Sequence, residues 1–280
     1  MTQTHKISIV TPSLNQSEFI ERTILSVISQ QVNAEVEYIV VDGGSTDGTM
    51  KILERFSRVI NFTSEPDNGM SDALNKGFSS SAGEILAWLN SDDLYLPGTL
   101  QKVVDYFNAH PDCLWLYGNC TIIDEADSEI RKWITSYKIR KSADFSFQRL
   151  LVENFISQPA VFFRRSAFEQ AGAVDTSLPT AMDYDLWLRL AKLGKPGFIN
   201  DFLASFRVHS GSISARSYRK QFEEQYQIHK KYDRKKLALL KHRLMILLIV
   251  SVYSLFNLYF CFKVWVWSIT KRSKLLVNSL

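Results

Sequence analysis

Ile85-Leu86-Ala87-Trp88-Leu89-Asn90-Ser91-Asp92-Asp93 is an uncharged, mostly apolar run that stops abruptly in two adjacent carboxylates. A short continuous apolar run of this kind suits a strand buried on both faces of a sheet. When such a strand ends in acids it delivers negative charge to the carboxyl edge of the sheet, where open α/β folds place their ligands. The pair Asp92 and Asp93 then serves a divalent metal or a sugar hydroxyl. It serves equally well as a turn and helix cap, because acids commonly follow strands and precede helices.

Upstream of this run, strand-like and helix-like segments alternate. Ile7 to Val10 reads as a strand and Glu18 to Gln30 as a helix, with Phe19, Ile20, Ile24, Val27 and Ile28 on one stripe. Asn15 and Glu18 have the spacing of a capping pair. Glu37 to Val41 is a second strand, followed by the loop Asp42 to Gly48 and a short helix from Thr49 to Phe56. Val59 to Thr63 gives a third strand and Ser71 to Phe78 a helix before the run at Ile85. Alternation at this spacing implies right-handed βαβ units and a mainly parallel sheet. Downstream, a helix is expected from Pro97 to Asn108 and paired strands from Trp115 to Trp133, turning at Asp124 to Ser128. A strand is expected near Ser157 to Phe163, with helices near Ser166 to Gln170 and from Thr180 to Leu193. No internal repeat is visible.

The 280 residues suffice for one large α/β domain with an appendage. Hydrophobic residues make up 46% and charged residues 22%, which excludes a disordered chain. The net charge of +4 is modest, but basic residues concentrate between Arg216 and Arg243. That asymmetry points to a local anionic partner such as acidic lipid, and away from nucleic acid. Cys113, Cys120 and Cys261 match no metal or disulfide spacing, and the first residues lack the apolar core of a signal peptide, so a reducing cytosol is expected for the bulk of the chain. From Leu244 to Phe262 no residue is charged. About 19 residues at ~1.5 Å each approach the ~30 Å hydrocarbon core of a bilayer. The denser positive flank lies on its N-terminal side, which would leave residues 1–243 in the cytoplasm. The alternative is a helix buried against the rest of the chain or a second subunit. The expected division is a domain over 1–214, a basic helical linker over 215–243, an apolar membrane-associated or transmembrane helix over 244–269 and a basic tail over 270–280.

Three strand ends carry acids: Asp42 after Val40-Val41, Asp67 after Thr63-Ser64-Glu65-Pro66, and the Asp92-Asp93 pair. In a parallel sheet such ends line one crevice. The loop Asp42-Gly43-Gly44-Ser45-Thr46-Asp47-Gly48-Thr49 has serine where a dinucleotide fingerprint needs its second glycine, and no lysine supports a P-loop. It is read as a tight turn presenting Asp42 to a nucleoside.

The segments Ser8-Ile9-Val10-Thr11-Pro12-Ser13-Leu14-Asn15-Gln16, Tyr38 to Thr49, Trp88 to Asp93 and Met182-Asp183-Tyr184-Asp185-Leu186-Trp187-Leu188-Arg189-Leu190 resemble the successive signatures of the family 2 inverting glycosyltransferases of GT-A fold. The likeness covers roughly Lys6 to Ser214. It implies a single GT-A domain, with a Rossmann-like central sheet flanked by helices. It also implies transfer of a sugar from a nucleotide donor, most simply a UDP-sugar, to a polysaccharide or lipid-linked acceptor; the apolar C-terminal stretch and its basic flank motivate the lipid-linked part and a place at the inner face of the cytoplasmic membrane.

By the same resemblance Thr11, Pro12, Ser13 and Asn15 contact the nucleoside, and Asp42 binds the base. Asp93 is the main ligand of a Mg²⁺ or Mn²⁺ ion, Asp92 lies near the ribose or sugar with a share in the metal, and Asn90 replaces an aspartate of many relatives. Asp183 matches the base that deprotonates the acceptor, with Asp185 as runner-up, although Met182 replaces a common glutamate. By spacing alone Thr180 and Asp183 form a capping box. Arg207 matches a phosphate contact and His209 a further metal ligand, while Asp72 either touches the donor or caps a helix. Gln158 and Trp187 border the acceptor or simply pack. A nucleotide-sugar-binding scaffold without turnover and a nucleotidyltransferase are the alternative functions.

Overall fold

The computed structural model describes residues 5–212, 217–235, 237 and 239–251. The chain divides into two units, Met1–Gln225 and Tyr226–Leu280. In the first, β1 (Lys6–Ser13), β2 (Glu35–Asp42), β3 (Asn61–Ser64) and β4 (Ile85–Trp88) form a parallel half-sheet. Their connections are α1 (Ile20–Ile28), α2 (Thr49–Arg55) and α3 (Met70–Ser80). β4 is buried at every position and β1 at all but Lys6. This is why both read as apolar runs without alternation.

The second half of the sheet departs from the expected parallel arrangement. β5 (Leu94–Tyr95), β6 (Trp115–Ile123), β7 (Val161–Arg164) and β8 (Gly197–Arg207) complete the order β3-β2-β1-β4-β7-β6-β8-β5. β7 runs antiparallel to both β4 and β6, and β5 antiparallel to β8, while β6 and β8 are parallel. The sheet is therefore mixed, and β4 is the last strand of its parallel half.

The remaining helices are α4 (Thr99–Ala109), α5 (Lys132–Ser142), α6 (Phe147–Val152), α7 (Arg165–Ala171) and α8 (Met182–Leu193), with a 3₁₀ turn at Gln158–Ala160. The segment read as paired strands from Trp115 to Trp133 holds one strand and a single bridge, Ile123 to Glu129, before α5 begins. Helix α3 lies on β1 and β2. Gly77 permits this close approach, since a Cβ there would stand 2.3 Å from Val10 Cγ1.

The helix α9 (Tyr218–Tyr232) begins in the first unit and ends in the second. Within the second unit the backbone at 239–251 is helical, and Leu237, Leu240, Leu244, Leu247 and Leu248 are all exposed. Among the described residues no helix is long and apolar enough to cross a membrane. Most of the apolar stretch expected at 244–269 lies outside the described residues.

Candidate active site

β4 delivers its acids into a tight turn in which the Asp93 amide donates to the Asn90 carbonyl. The turn sends the two carboxylates to different environments. Asp93 is fully buried. Its Oδ1 accepts from the Arg207 backbone N–H at 2.8 Å and its Oδ2 from Asn90 Nδ2 at 3.2 Å. Burial, and then the neighbouring Asp92 charge, push its pKa well above the ordinary carboxylate range. Asp92 stays partly exposed and pairs with His209 Nε2 at 2.9 Å.

The two carboxylates therefore differ in access. Asp92, not Asp93, faces the histidine with an accessible carboxylate, and Asp93 secures the turn from beneath. Among the described residues no three His, Cys, Asp or Glu side chains converge as a metal site. Asp92 and His209 together supply two hard-to-borderline donors, which suits Mg²⁺ or Mn²⁺ when substrate phosphates and water complete the shell.

Arg207 does not present a free guanidinium for a phosphate. It is fully buried: Nε donates to the Asp92 carbonyl at 2.8 Å, Nη1 to the Asp124 carbonyl at 2.6 Å, and Nη2 pairs with Asp127 at 2.5 Å. Asp127 is also bound by Arg22 at 2.9 Å. Phe19 supports this cluster, with its ring 4.5 Å from that of His209 and 5.2 Å from the Arg207 guanidinium. Arg207 is thus a clamp on the acidic turn.

At the ends of β1 and β2 the residues expected to contact the nucleoside assemble as a laced pair of loops. The Asn15 amide donates to Ser45 Oγ, Gln16 N to Thr49 Oγ1, Ser17 N to Asp47, and Thr46 N to Asn15 Oδ1, all between 2.7 and 3.0 Å. Asn15 takes a left-handed φ of 53°, which asparagine tolerates better than most residues. It therefore joins two loops and does not cap α1, whose N-cap is Phe19.

Asp42 is fully buried and its carboxylate is consumed by Gly44 N, Ser45 N, Ser45 Oγ and Ser64 Oγ. It shapes the loop and has no free face for a base. Asp67, partly exposed, is seated over Gly43, where a Cβ would meet Asp67 Oδ2 at 2.8 Å. Thr11 is buried and shares a hydrogen bond with Tyr38, Pro12 is buried, and Ser13 Oγ is buried without a partner. Asp72 accepts from Asn68 N at 3.0 Å and lies 3.5 Å from Lys76, so it holds the loop that leads into α3, whose N-cap is Gly69.

Asp183 opens α8. The cap residue is Ala181 and no side chain caps the helix, so the capping box of Thr180 and Asp183 does not form. Its carboxylate Oδ2 accepts from Asn154 Nδ2 at 3.3 Å, while Oδ1 is buried without a partner. Burial raises its pKa, opposed by hydrogen bonds from the Tyr184 backbone and Asn154 and by the charge of Lys138. A desolvated carboxylate with one free oxygen is the form a general base requires. Asp185, by contrast, is committed to Arg189 at 2.8 Å one turn along the helix.

Gln158 ties the 3₁₀ turn to the end of β4: Nε2 donates to the Trp88 carbonyl at 2.6 Å and Oε1 accepts from Asn90 at 3.0 Å. Trp187 is fully buried against Trp115, so packing is its role. Asn154 and Lys138 stand in a loop and a helix without a motif, and in the sequence Phe19 reads only as part of an apolar stripe and Asp127 only as part of a turn. Only the fold brings them to the site.

The profile of glycosyl transferase family 2 matches residues 8–172. Over 219 residues the chain is 27% identical to TuaG of Bacillus subtilis, named for teichuronic acid biosynthesis, covering 76% of this chain and 83% of that one. It is 28% identical over 209 residues to an uncharacterized glycosyltransferase of Rickettsia conorii, 73% of this chain but only 34% of the relative's length. Among solved structures, the fold is similar to a mannosyltransferase of Pyrobaculum calidifontis in complex with GDP-Man and Mn²⁺ (TM-score 0.62, 17% identity, 94% of this chain and 84% of that chain). It is also similar to residues 1–349 of S. aureus TarS with UDP-GlcNAc (TM-score 0.62, 16% identity, 82% of this chain and 74% of that chain).

Proposed function

The chain belongs to glycosyl transferase family 2, and from that premise we propose that it transfers a sugar from a nucleotide donor, most simply a UDP-sugar, to a hydroxyl of a polysaccharide or lipid-linked glycan, with inversion. One observation carries the reading: a desolvated carboxylate with an unpartnered oxygen, Asp183, on an element separate from the Asp92–His209 pair. Inversion needs a base on the acceptor side and a charge-stabilising group on the leaving-group side.

In the reaction the acceptor hydroxyl forms a bond to the anomeric carbon while the bond from that carbon to the diphosphate breaks. Asp183 takes the hydroxyl proton on its free Oδ1, and Asn154 holds the other oxygen. Asp92 and His209 would hold a Mg²⁺ or Mn²⁺ ion, which when bound neutralises charge on the departing diphosphate. Arg207 and Asp93 keep the Asp92 turn in place, so this carboxylate need not reorganise as charge develops. The laced loops at Asn15 and Thr46, with Asp67 above Gly43, form the edge assigned to the nucleoside. Support for a UDP-sugar and a cell-surface polymer comes from the UDP-GlcNAc bound in the TarS structure and the teichuronic acid for which TuaG is named.

The exposed leucines between Leu237 and Leu248, with the uncharged stretch that continues to Phe262, support membrane association of the second unit, and the basic residues between Arg216 and Arg243 support the cytoplasmic side. Asp183→Asn keeps the shape of the side chain and removes the base. We expect at least a 100-fold loss of transfer with nucleotide affinity unchanged; a variant that turns over at the wild-type rate refutes the assignment.

A further inference from the structure

Helix α5 lies against β6 and reads Lys132-Trp133-Ile134-Thr135-Ser136-Tyr137-Lys138-Ile139-Arg140-Lys141-Ser142, with four basic residues and no acidic one. Lys132 reaches Glu129 at 3.2 Å and Lys141 reaches Glu153 at 3.8 Å. Lys138 differs from both. It is half-buried, its ammonium contacts Ser157 Oγ at 3.2 Å, and among the described residues no carboxylate stands within ion-pair distance of it. Burial lowers its pKa, and the charges of Asp183 and Glu153 act on it only from farther off.

An ammonium has three donors, and desolvating it with a single protein acceptor is costly unless another group supplies negative oxygens. The polar atoms left open around Asp183 are complementary. Asp183 Oδ1 and Asn154 Oδ1 are both buried without partners, and both can only accept. A ligand carrying a hydroxyl and an anionic group satisfies all three residues at once, whereas a neutral sugar leaves the lysine unmatched.

We propose that Lys138 recognises an anionic group, phosphate or carboxylate, on the acceptor, beside the hydroxyl that Asp183 deprotonates. This rests on the assignment of Asp183 as base and gives the acceptor a chemical class.

The test uses the full chain with Mg²⁺ and saturating UDP, so that the donor side is filled. Glucuronate, inorganic phosphate and glucose are titrated and binding is followed by protein-observed NMR. The expected result is at least tenfold tighter binding of glucuronate or phosphate than of glucose; which anion is preferred separates a carboxylate-bearing acceptor from a phosphate-bearing one. Lys138→Met abolishes the preference, Lys138→Arg keeps it, and UDP affinity is the same in both. Equal binding of glucose and both anions by the wild type overturns the proposal, as does a preference that survives in Lys138→Met. Loss of UDP affinity in Lys138→Met also overturns it, by assigning the lysine to the donor diphosphate. Lys138→Gln makes the same comparison if the methionine variant does not fold by circular dichroism. A wild type that fails to bind UDP sinks the transferase reading, and the same titrations without UDP then still decide for or against Lys138.

Discussion

Asp183 shows how one residue acquires a task from its surroundings. Burial pushes its carboxyl pKa up from the usual value of 3.8, while Asn154 and Lys138 pull it partway back. A base works only when deprotonated, so activity falls as the pH drops through this raised pKa. The acid limb of kcat/KM for transfer is therefore expected above the ordinary carboxylate range, and in Lys138→Met, which removes a charge favouring the carboxylate, the limb moves higher still. A limb at the usual aspartate value, or one that moves down in the variant, contradicts this placement. Asp183 stands out in the sequence through a resemblance. Its free oxygen does not, because the competing cap geometry is decided by the backbone at Ala181 and by the loop that carries Asn154, 29 residues away. The same holds for Asp92 and Asp93. Adjacent side chains in a turn point apart, and only the turn closed onto Asn90 determines which one is buried.

At the scale of elements, legibility followed burial pattern. β4 and the Tyr38–Val41 part of β2 are continuous apolar runs, β1 is apolar at Ile7, Ile9 and Val10, and all three stand out in the sequence. Helix α5 does not, since four basic residues and scattered aromatics give it no apolar stripe, and the β-branched and aromatic content of Trp115 to Trp133 suggests strands instead. β8 hides because its core-facing alternation is interrupted at Asn200-Asp201, beside the register shifts in its pairing with β6. The packing of α3 on β1 gives a sharp prediction. A methyl group at Gly77 would overlap the branched side chain of Val10, which has no room to withdraw. Gly77→Ala is therefore expected to destabilise the fold by about 1–3 kcal/mol despite its better helix propensity. Urea denaturation followed by circular dichroism measures this, and a stabilised variant would show that helix and strand stand farther apart.

For the molecule as a whole, two expectations concern what it binds. Chelation with EDTA should suppress sugar transfer, with Mn²⁺ or Mg²⁺ restoring it, and Asp92→Ala should lose that restoration at moderate metal concentration. The contrast that matters is with Asp93→Asn, whose metal response should stay intact while its thermal stability changes; the opposite pattern would return the ligand role to Asp93. Membranes washed in high salt should retain the full chain if the apolar stretch of the second unit is inserted, and alkaline carbonate then distinguishes a spanning helix, which stays, from an interfacial one, which leaves. Release by salt alone would leave only the basic residues between Arg216 and Arg243 as the attachment.

The clamp of Arg207 on Asp92 also bears on how the protein is made. These two residues are 115 positions apart, and the loop between them contains β5 to β7 and most of the acceptor side. A contact of that sequence separation is late and entropically costly during folding. A growing chain can complete its parallel half-sheet, including β4, long before Arg207 and His209 have been synthesised. During that interval the acidic turn has neither its clamp nor its histidine. Nascent chains arrested before β8 are thus expected to carry a folded first half-sheet and no competence for metal-dependent transfer, so activity arrives in a single step once β8 and His209 have been made.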